Sequence, residues 1–169
     1  LELSFQRLGS AKIDLLAIHG INLPEHLDMT IRPNGCLEIV RRWQRYGLVG
    51  HIGFSTHAST DLIIKTIETG FFDYVNLHWY FIRQDNEQAL KAANDNDMGV
   101  FIISPTDKGG HLHTPSLKLL ELCSPLHPIE FNDLFCLRDQ RIHTLSVGAS
   151  NPEDLDIHLN AIFKMDRML

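Results

Sequence analysis

Apolar and polar positions alternate along this chain on two periods. Short apolar runs of strand length recur at Ile13–Ile18, Val49–Phe54, Tyr74–Leu77, Val100–Ile103 and Thr144–Val147. Between and around them the period lengthens to that of a helix. Leu1, Phe5 and Leu8 share one helical face, and Gly9 follows as the stop. Over Cys36–Tyr46, Leu37, Val40 and Trp43 mark an apolar side and Arg41, Arg42 and Arg45 a wet one. Ser59 or Thr60 opens the next helix, with Leu62, Ile63 and Ile67 as its stripe and Gly70 as its end. Further helical patterns cover Asn86–Asn94, Ser116–Cys123 and Pro128–Leu137. A last one starts at Pro152, with Leu155, Leu159 and Ile162 apolar. The segment 22–34, with Pro24 and Pro33, reads as a polar loop.

Strand, helix, strand, helix is the signature of βαβ units and a parallel sheet. Two architectures meet it: an open doubly wound sheet and a closed barrel. A full barrel takes eight strands and about 250 residues, and 169 residues with five strands hold part of one. The glycine fingerprint of an open dinucleotide-binding sheet, GxGxxG after a strand, does not occur.

Composition adds limits. With 15 Lys and Arg against 21 Asp and Glu the net charge is −6, and no basic cluster suggests nucleic acid or an anionic membrane. No apolar run approaches the roughly 20 residues a bilayer requires. Three widely spaced cysteines, Cys36, Cys123 and Cys136, make no disulfide framework. They read as small core residues in a cytoplasmic protein.

In both architectures ligands collect at the carboxyl ends of strands. Those ends are polar here: His19; Ser55, Thr56 and His57; Asn76, His78 and Trp79; Ser104, Thr106 and Lys108 with two glycines; Gly148, Ala149 and Ser150. A neutral imidazole at position 19 can donate to a carbonyl oxygen or move a proton, or simply cap its strand. The segment Ser104–Gly110 carries hydroxyls, an ammonium and backbone N–H groups suited to a pyrophosphate, though an ordinary polar loop has the same residue types. Gly148–Pro152 leads into a helix N-terminus, which favours phosphate; a simple N-cap at Ser150 or Asn151 is the commoner use. A metal set of His19, His57, His78 and His111 would suit a barrel hydrolase, but Asp107 is the only carboxylate near the last of these.

Five blocks carry a resemblance. They are Leu3 with Arg7-Leu8-Gly9 and Ile13-Asp14-Leu15-Leu16-Ala17-Ile18-His19; Gly47-Leu48-Val49 with Ile52-Gly53-Phe54-Ser55; Phe72-Asp73-Tyr74-Val75-Asn76-Leu77; Gly99-Val100-Phe101-Ile102-Ile103-Ser104-Pro105; and Val147-Gly148-Ala149-Ser150-Asn151-Pro152-Glu153. In order and spacing they resemble the aldo-keto reductases. The wording is closest to a bacterial branch whose members often carry a ferredoxin-like iron–sulfur segment, of which no cysteine cluster occurs here.

The resemblance implies a partial (β/α)8 TIM barrel, about its last five βα units, spanning residues 1–169 as one oxidoreductase domain. It implies hydride transfer between NAD or NADP and a small carbonyl or alcohol substrate. His19 matches the histidine that orients the carbonyl. Ser55 and Asn76 match the residues that hold the nicotinamide carboxamide. Ile103 stands where an aromatic ring often stacks on the nicotinamide. Ser104, Thr106 and Lys108 match the pyrophosphate loop, and Gly148, Ala149 and Ser150 the adenosine-phosphate segment. Asp154 falls where NADP-selective members often carry arginine, and a carboxylate there disfavours a 2′-phosphate. No metal is assigned.

The family's catalytic tyrosine, lysine and aspartate would lie before Leu1, and Tyr46, Tyr74 and Tyr80 match none of them. Both chain ends read as cut, so the expectation is a piece of a reductase, inactive alone. The alternatives are the metal-dependent hydrolase and a non-catalytic remnant that binds a nucleotide or a partner.

Overall fold

The structure is a computed structural model that describes residues 2–166. Leu1, expected on the first helical face, and residues 167–169 lie outside that range. All five expected strands form: β1 (Ile13–Ile18), β2 (Val49–Ser55), β3 (Tyr74–Leu77), β4 (Gly99–Ile103) and β5 (Thr144–Ser146). Eight α-helices are described: α1 (Glu2–Leu8), α2 (Pro24–Ile31), α3 (Cys36–Arg45), α4 (Thr60–Glu68), α5 (Glu87–Asp95), α6 (Leu117–Cys123), α7 (Pro128–Leu137) and α8 (Asp156–Asp166).

The chain divides into two compact units. One holds residues 2–77 with Gln88–Gly99, and the other holds His78–Glu87 with residues 100–166. In the first, β1 pairs parallel with β2 from Ile13 opposite Val49 to Ile18 opposite Phe54. β2 in turn pairs parallel with β3, which sets Ser55 opposite Asn76. In the second, β4 pairs parallel with β5, with Ile103 opposite Ser146. Strand order follows chain order in each unit. A doubly wound sheet reverses its order at a switch point; β1-β2-β3 does not. The fold class is α/β, a partial (β/α) barrel.

Packing explains the first unit. Ile52, Phe54, Ile63, Ile67, Val75 and Leu90 are buried together as its core. Gly53 is required by close approach: a Cβ there would sit 2.5 Å from the ring of Tyr74. In the second unit Trp79 stacks on Phe135 at 4.9 Å. Arg141 holds Asp139 at 2.6 Å and Glu87 at 2.7 Å.

Four expectations change. The segment read as a polar loop contains α2, because Pro24 sits in the first turn, where its missing N–H costs nothing. Leu27 and Thr30 of that helix are buried. Cys36 is not a core residue: it opens α3 and is exposed, while Leu37 and Val40 take the buried side. Cys123 and Cys136 are buried as expected. β5 stops at Ser146, one residue early.

The fourth change concerns the last helix. It begins as a short 3-10 turn, Pro152–Leu155, and its apolar stripe stays half open: Leu155, Leu159 and Ile162 are 40%, 47% and 42% exposed. His158 and Ala161 are the buried positions. The ring of His158 lies 2.5 Å from Asp133 of α7, so the side of α8 that carries this buried pair faces α7. No described helix is long and apolar enough to cross a membrane.

Candidate functional site

The first unit brings the exits of β1 and β2 together. His19 directly follows β1 and is exposed. Its Nδ1 lies 2.9 Å from Oγ of Ser55, the last residue of β2. Ser55 is only 8% exposed. The Gly20 N–H donates to both Oγ and the carbonyl oxygen of Ser55, each at 3.1 Å, and the Ile21 N–H donates to the same carbonyl at 3.0 Å. Gly20 takes φ of +77°, a left-handed conformation that bends the chain toward Ser55. Thr56 Oγ1 donates to the Ile21 carbonyl at 2.7 Å, and the His57 N–H donates to Asn22 Oδ1 at 2.7 Å.

Asn76, opposite Ser55 in the register, carries a buried Oδ1 with no hydrogen-bond donor among the described residues. An amide N–H would satisfy it. A buried acceptor left unpaired costs about 1–3 kcal/mol.

The second unit holds a cleft of about 800 Å³ at the ends of β4 and β5. Ile103, Ser104, Thr106, Gly148, Ala149 and Ser150 line it. Lys108 is exposed and does not line the cleft; its N–H donates to Asp107 Oδ1 at 2.8 Å. Ser104 and Asp107 take φ of +52° and +63°, uncommon for residues other than glycine. The surroundings hold them there. Asp107 accepts from the Tyr80 hydroxyl at 3.0 Å and lies 3.1 Å from the ring of His111. Asn132 of α7, 1% exposed, donates to the Pro105 carbonyl and accepts from the Phe81 N–H, both at 2.8 Å.

These hydrogen bonds set the electrostatics. Burial would raise the Asp107 pKa, but hydrogen bonds from Lys108, His111 and Tyr80 outweigh it and hold the carboxyl below the usual range. Burial, then Asp107, pushes the Tyr80 phenol up to about 12. The cleft therefore carries a fixed carboxylate, which the sequence shows only as a lone acid near a histidine loop. Tyr80 and Asn132, which hold this loop, give no signal in the sequence, because they lie 27 residues from their partners in it.

At the β5 exit the helix start behaves differently from an open anion site. Asp154 accepts from the Ser150 N–H at 2.8 Å and the Asn151 N–H at 3.2 Å, while Asn151 Oδ1 accepts from the Asp154 N–H. The Ser150 N–H above all, with that of Asn151, holds the Asp154 carboxyl below its usual pKa. The N–H groups read as available for phosphate are thus partly used by the chain itself. Among the described residues no group of three His, Cys, Asp or Glu side chains is placed to hold a metal ion. The hydrolase alternative is not favoured.

No protein-family model matches the chain, and no curated protein matches its sequence. Solved structures do match in shape. The holo form of an aldo-keto reductase from Bacillus halodurans aligns over 95% of this chain and 57% of its own, at TM-score 0.77 and 18% identity. A glycerol dehydrogenase from Gluconobacter oxydans aligns over 95% and 56%, at TM-score 0.73 and 14% identity. An aldose reductase from Giardia lamblia aligns over 95% and 60%, at TM-score 0.69 and 13% identity. The chain has the fold of these reductases and spans somewhat over half of their length.

Proposed function

We propose that these 169 residues are one barrel domain, part of a cytoplasmic NAD(P)-dependent oxidoreductase of the aldo-keto reductase family acting on a small carbonyl or alcohol. The cleft carries the reading: it gathers Ile103, Ser104, Thr106, Gly148, Ala149 and Ser150, six residues that the resemblance assigns to the dinucleotide. In this reading the Ser104 and Thr106 hydroxyls meet the pyrophosphate, and the exposed Lys108 ammonium supplies a screened countercharge. Gly148, Ala149 and Ser150 accommodate the adenosine end. Ile103 offers apolar contact without a ring face. For the first unit the resemblance assigns Asn76 and Ser55 to a nicotinamide carboxamide, and the buried Asn76 Oδ1, which lacks a donor, supports an amide N–H there. The cofactor, when bound, supplies or takes the hydride. His19 donates a hydrogen bond to the substrate oxygen and fixes its direction.

NAD is the better fit of the two cofactors. Asp107 and Asp154 both line the cleft. A 2′-phosphate near Asp154 would meet a carboxylate that already holds two N–H groups. Titrating the chain with NADH and with NADPH by fluorescence tests this. Binding of NADH with weaker binding of NADPH is expected, and binding of neither overturns the reading. Turnover is expected to be absent, since the proton donor of the resembling family has no counterpart here and its loss costs about 10²–10⁴ in rate. Efficient carbonyl reduction by these residues alone would refute that part.

A further inference from the structure

The cleft at the ends of β4 and β5 is lopsided in charge. Among the described residues its lining carries two carboxylates, Asp107 and Asp154, and no lysine or arginine. Both carboxyls titrate below their usual range, so both keep their charge wherever a histidine titrates. A phosphate entering here meets like charge. One lining side chain can answer it, His113. The backbone fixes its place at the end of the short 3-10 turn His111–His113. Leu112, 3% exposed, anchors that turn, and its N–H donates to the Thr106 carbonyl at 3.0 Å. The His113 N–H donates to the Gly110 carbonyl at 2.9 Å. A Cβ at Gly110 would lie 3.2 Å from Cδ2 of His113, so the ring rests against bare backbone. It is exposed and within electrostatic reach of Asp154. The neighbouring histidines are engaged elsewhere, and neither lines the cleft. His111 faces Asp107 at 3.1 Å. His127 caps α7, its Nδ1 accepting from the Ile129 N–H at 3.3 Å. Burial keeps His127 below the usual histidine range against the pull of Glu130, and charge on His113 acts in the same direction as burial.

We propose that His113 receives the phosphate groups of an anionic ligand in this cleft, and that it does so as the imidazolium. With a neutral ring the lining presents two carboxylates and no cation. With a protonated ring one of those charges is offset, and the ring offers a charge-assisted hydrogen bond. Lys108 carries a permanent charge but stands outside the lining, where water and salt screen it. Affinity for the anion therefore rises as pH falls through the histidine range and is lost as pH rises again. That the anion is the pyrophosphate of a dinucleotide rests on the proposed function; the role of His113 toward an anion does not.

Calorimetric titration of the 169-residue chain with ADP-ribose, at about pH 5.5 and about pH 8, tests this. The pyrophosphate diester of that probe keeps its charge throughout the range, so a change in affinity belongs to the protein. Binding is expected to be about five-fold tighter at the lower pH, the upper end for an exposed charge pair. His113→Gln is expected to lose that gain. His113→Lys, which carries its charge at both values, is expected to bind tightly at both. An affinity that does not move with pH in the native chain overturns the proposal. So does a gain that persists in His113→Gln, which would pass the effect to His111 or His127. NADH is titrated in parallel. A gain that depends on His113 with ADP-ribose, together with no binding of NADH, counts against the proposed function and leaves this assignment standing. NADH binding that ignores pH does the reverse, and binding of neither probe overturns both.

Discussion

The polar strand exits of the two units are held by different means. In the first, the exits of β1 and β2 bind each other: His19 to Ser55, Thr56 to Ile21, His57 to Asn22. Pairing of the two strands in register already puts these residues side by side. In the second, the loop after β4 is shaped from outside. Asn132 reaches it from α7, Tyr80 from the segment after β3, and Ser104 and Asp107 take left-handed backbone angles under that restraint. An exit held by strand register is as stable as its sheet. An exit held by remote side chains can loosen while its strands stay paired.

Substitutions can break or sharpen this contrast. The largest effect is expected from Phe54→Ala, which empties a fully buried site beside Phe72 in the first unit. A loss of about 3–5 kcal/mol is expected in denaturant unfolding, and the hydrogen bond between His19 and Ser55 should break together with the sheet. If that bond persisted in the unfolding first unit, strand register would not be what holds it.

Asn132→Leu comes next. It strands the buried Pro105 carbonyl at about 1–3 kcal/mol and removes the acceptor of the half-buried Phe81 N–H. Hydrogen exchange is expected to quicken near residues 81 and 104–113 and to stay unchanged at 19–22. Faster exchange at both places would collapse the distinction.

Asp107→Asn is milder. Burial is the largest single cause of the raised Tyr80 pKa and Asp107 adds to it through a hydrogen bond and its charge, so ultraviolet titration should show the phenol moving down from about 12 but not back to its ordinary value. The pH dependence has a definite sign. The folded carboxyl lies below its ordinary 3.8. Its contribution is therefore complete above 3.8 and fades as pH falls through the lower folded value. Native and variant stabilities should converge on acidification; a gap that widened would exclude the bonding pattern around Asp107.

Asp154→Asn, on an exposed turn, should have the smallest effect on stability. Removing its charge should narrow the difference between NADH and NADPH binding by several-fold. An unchanged difference would remove Asp154 from cofactor choice.

The contrast also explains what is legible in the sequence. Continuous apolar runs such as Val100–Ile103 announce buried parallel strands, and all five strands lie where the pattern puts them, within a residue or two. His19 and Ser55 are readable because each stands at a strand end. α2 is hidden by Pro24 and Pro33, which mark a loop unless the first turn of a helix receives one of them. The α8 stripe misleads because the buried positions of that helix are His158, hydrogen-bonded to Asp133, and Ala161, neither of which an aliphatic pattern selects.

By itself, the order of residues determined the alternation of strands and helices, the parallel pairing and the polar chemistry at each strand exit. These follow from local periodicity and from the small number of ways such units can pack. Tertiary structure alone decided three things: that Asn132 and Tyr80 shape the β4 loop, that Asp154 uses N–H groups otherwise open to a phosphate, and that the Ser55 hydroxyl meets the ring of His19. Each depends on where one polar atom finds its partner, and a buried polar atom takes whatever partner the packed chain brings within about 3 Å, at a distance along the sequence that no local pattern records.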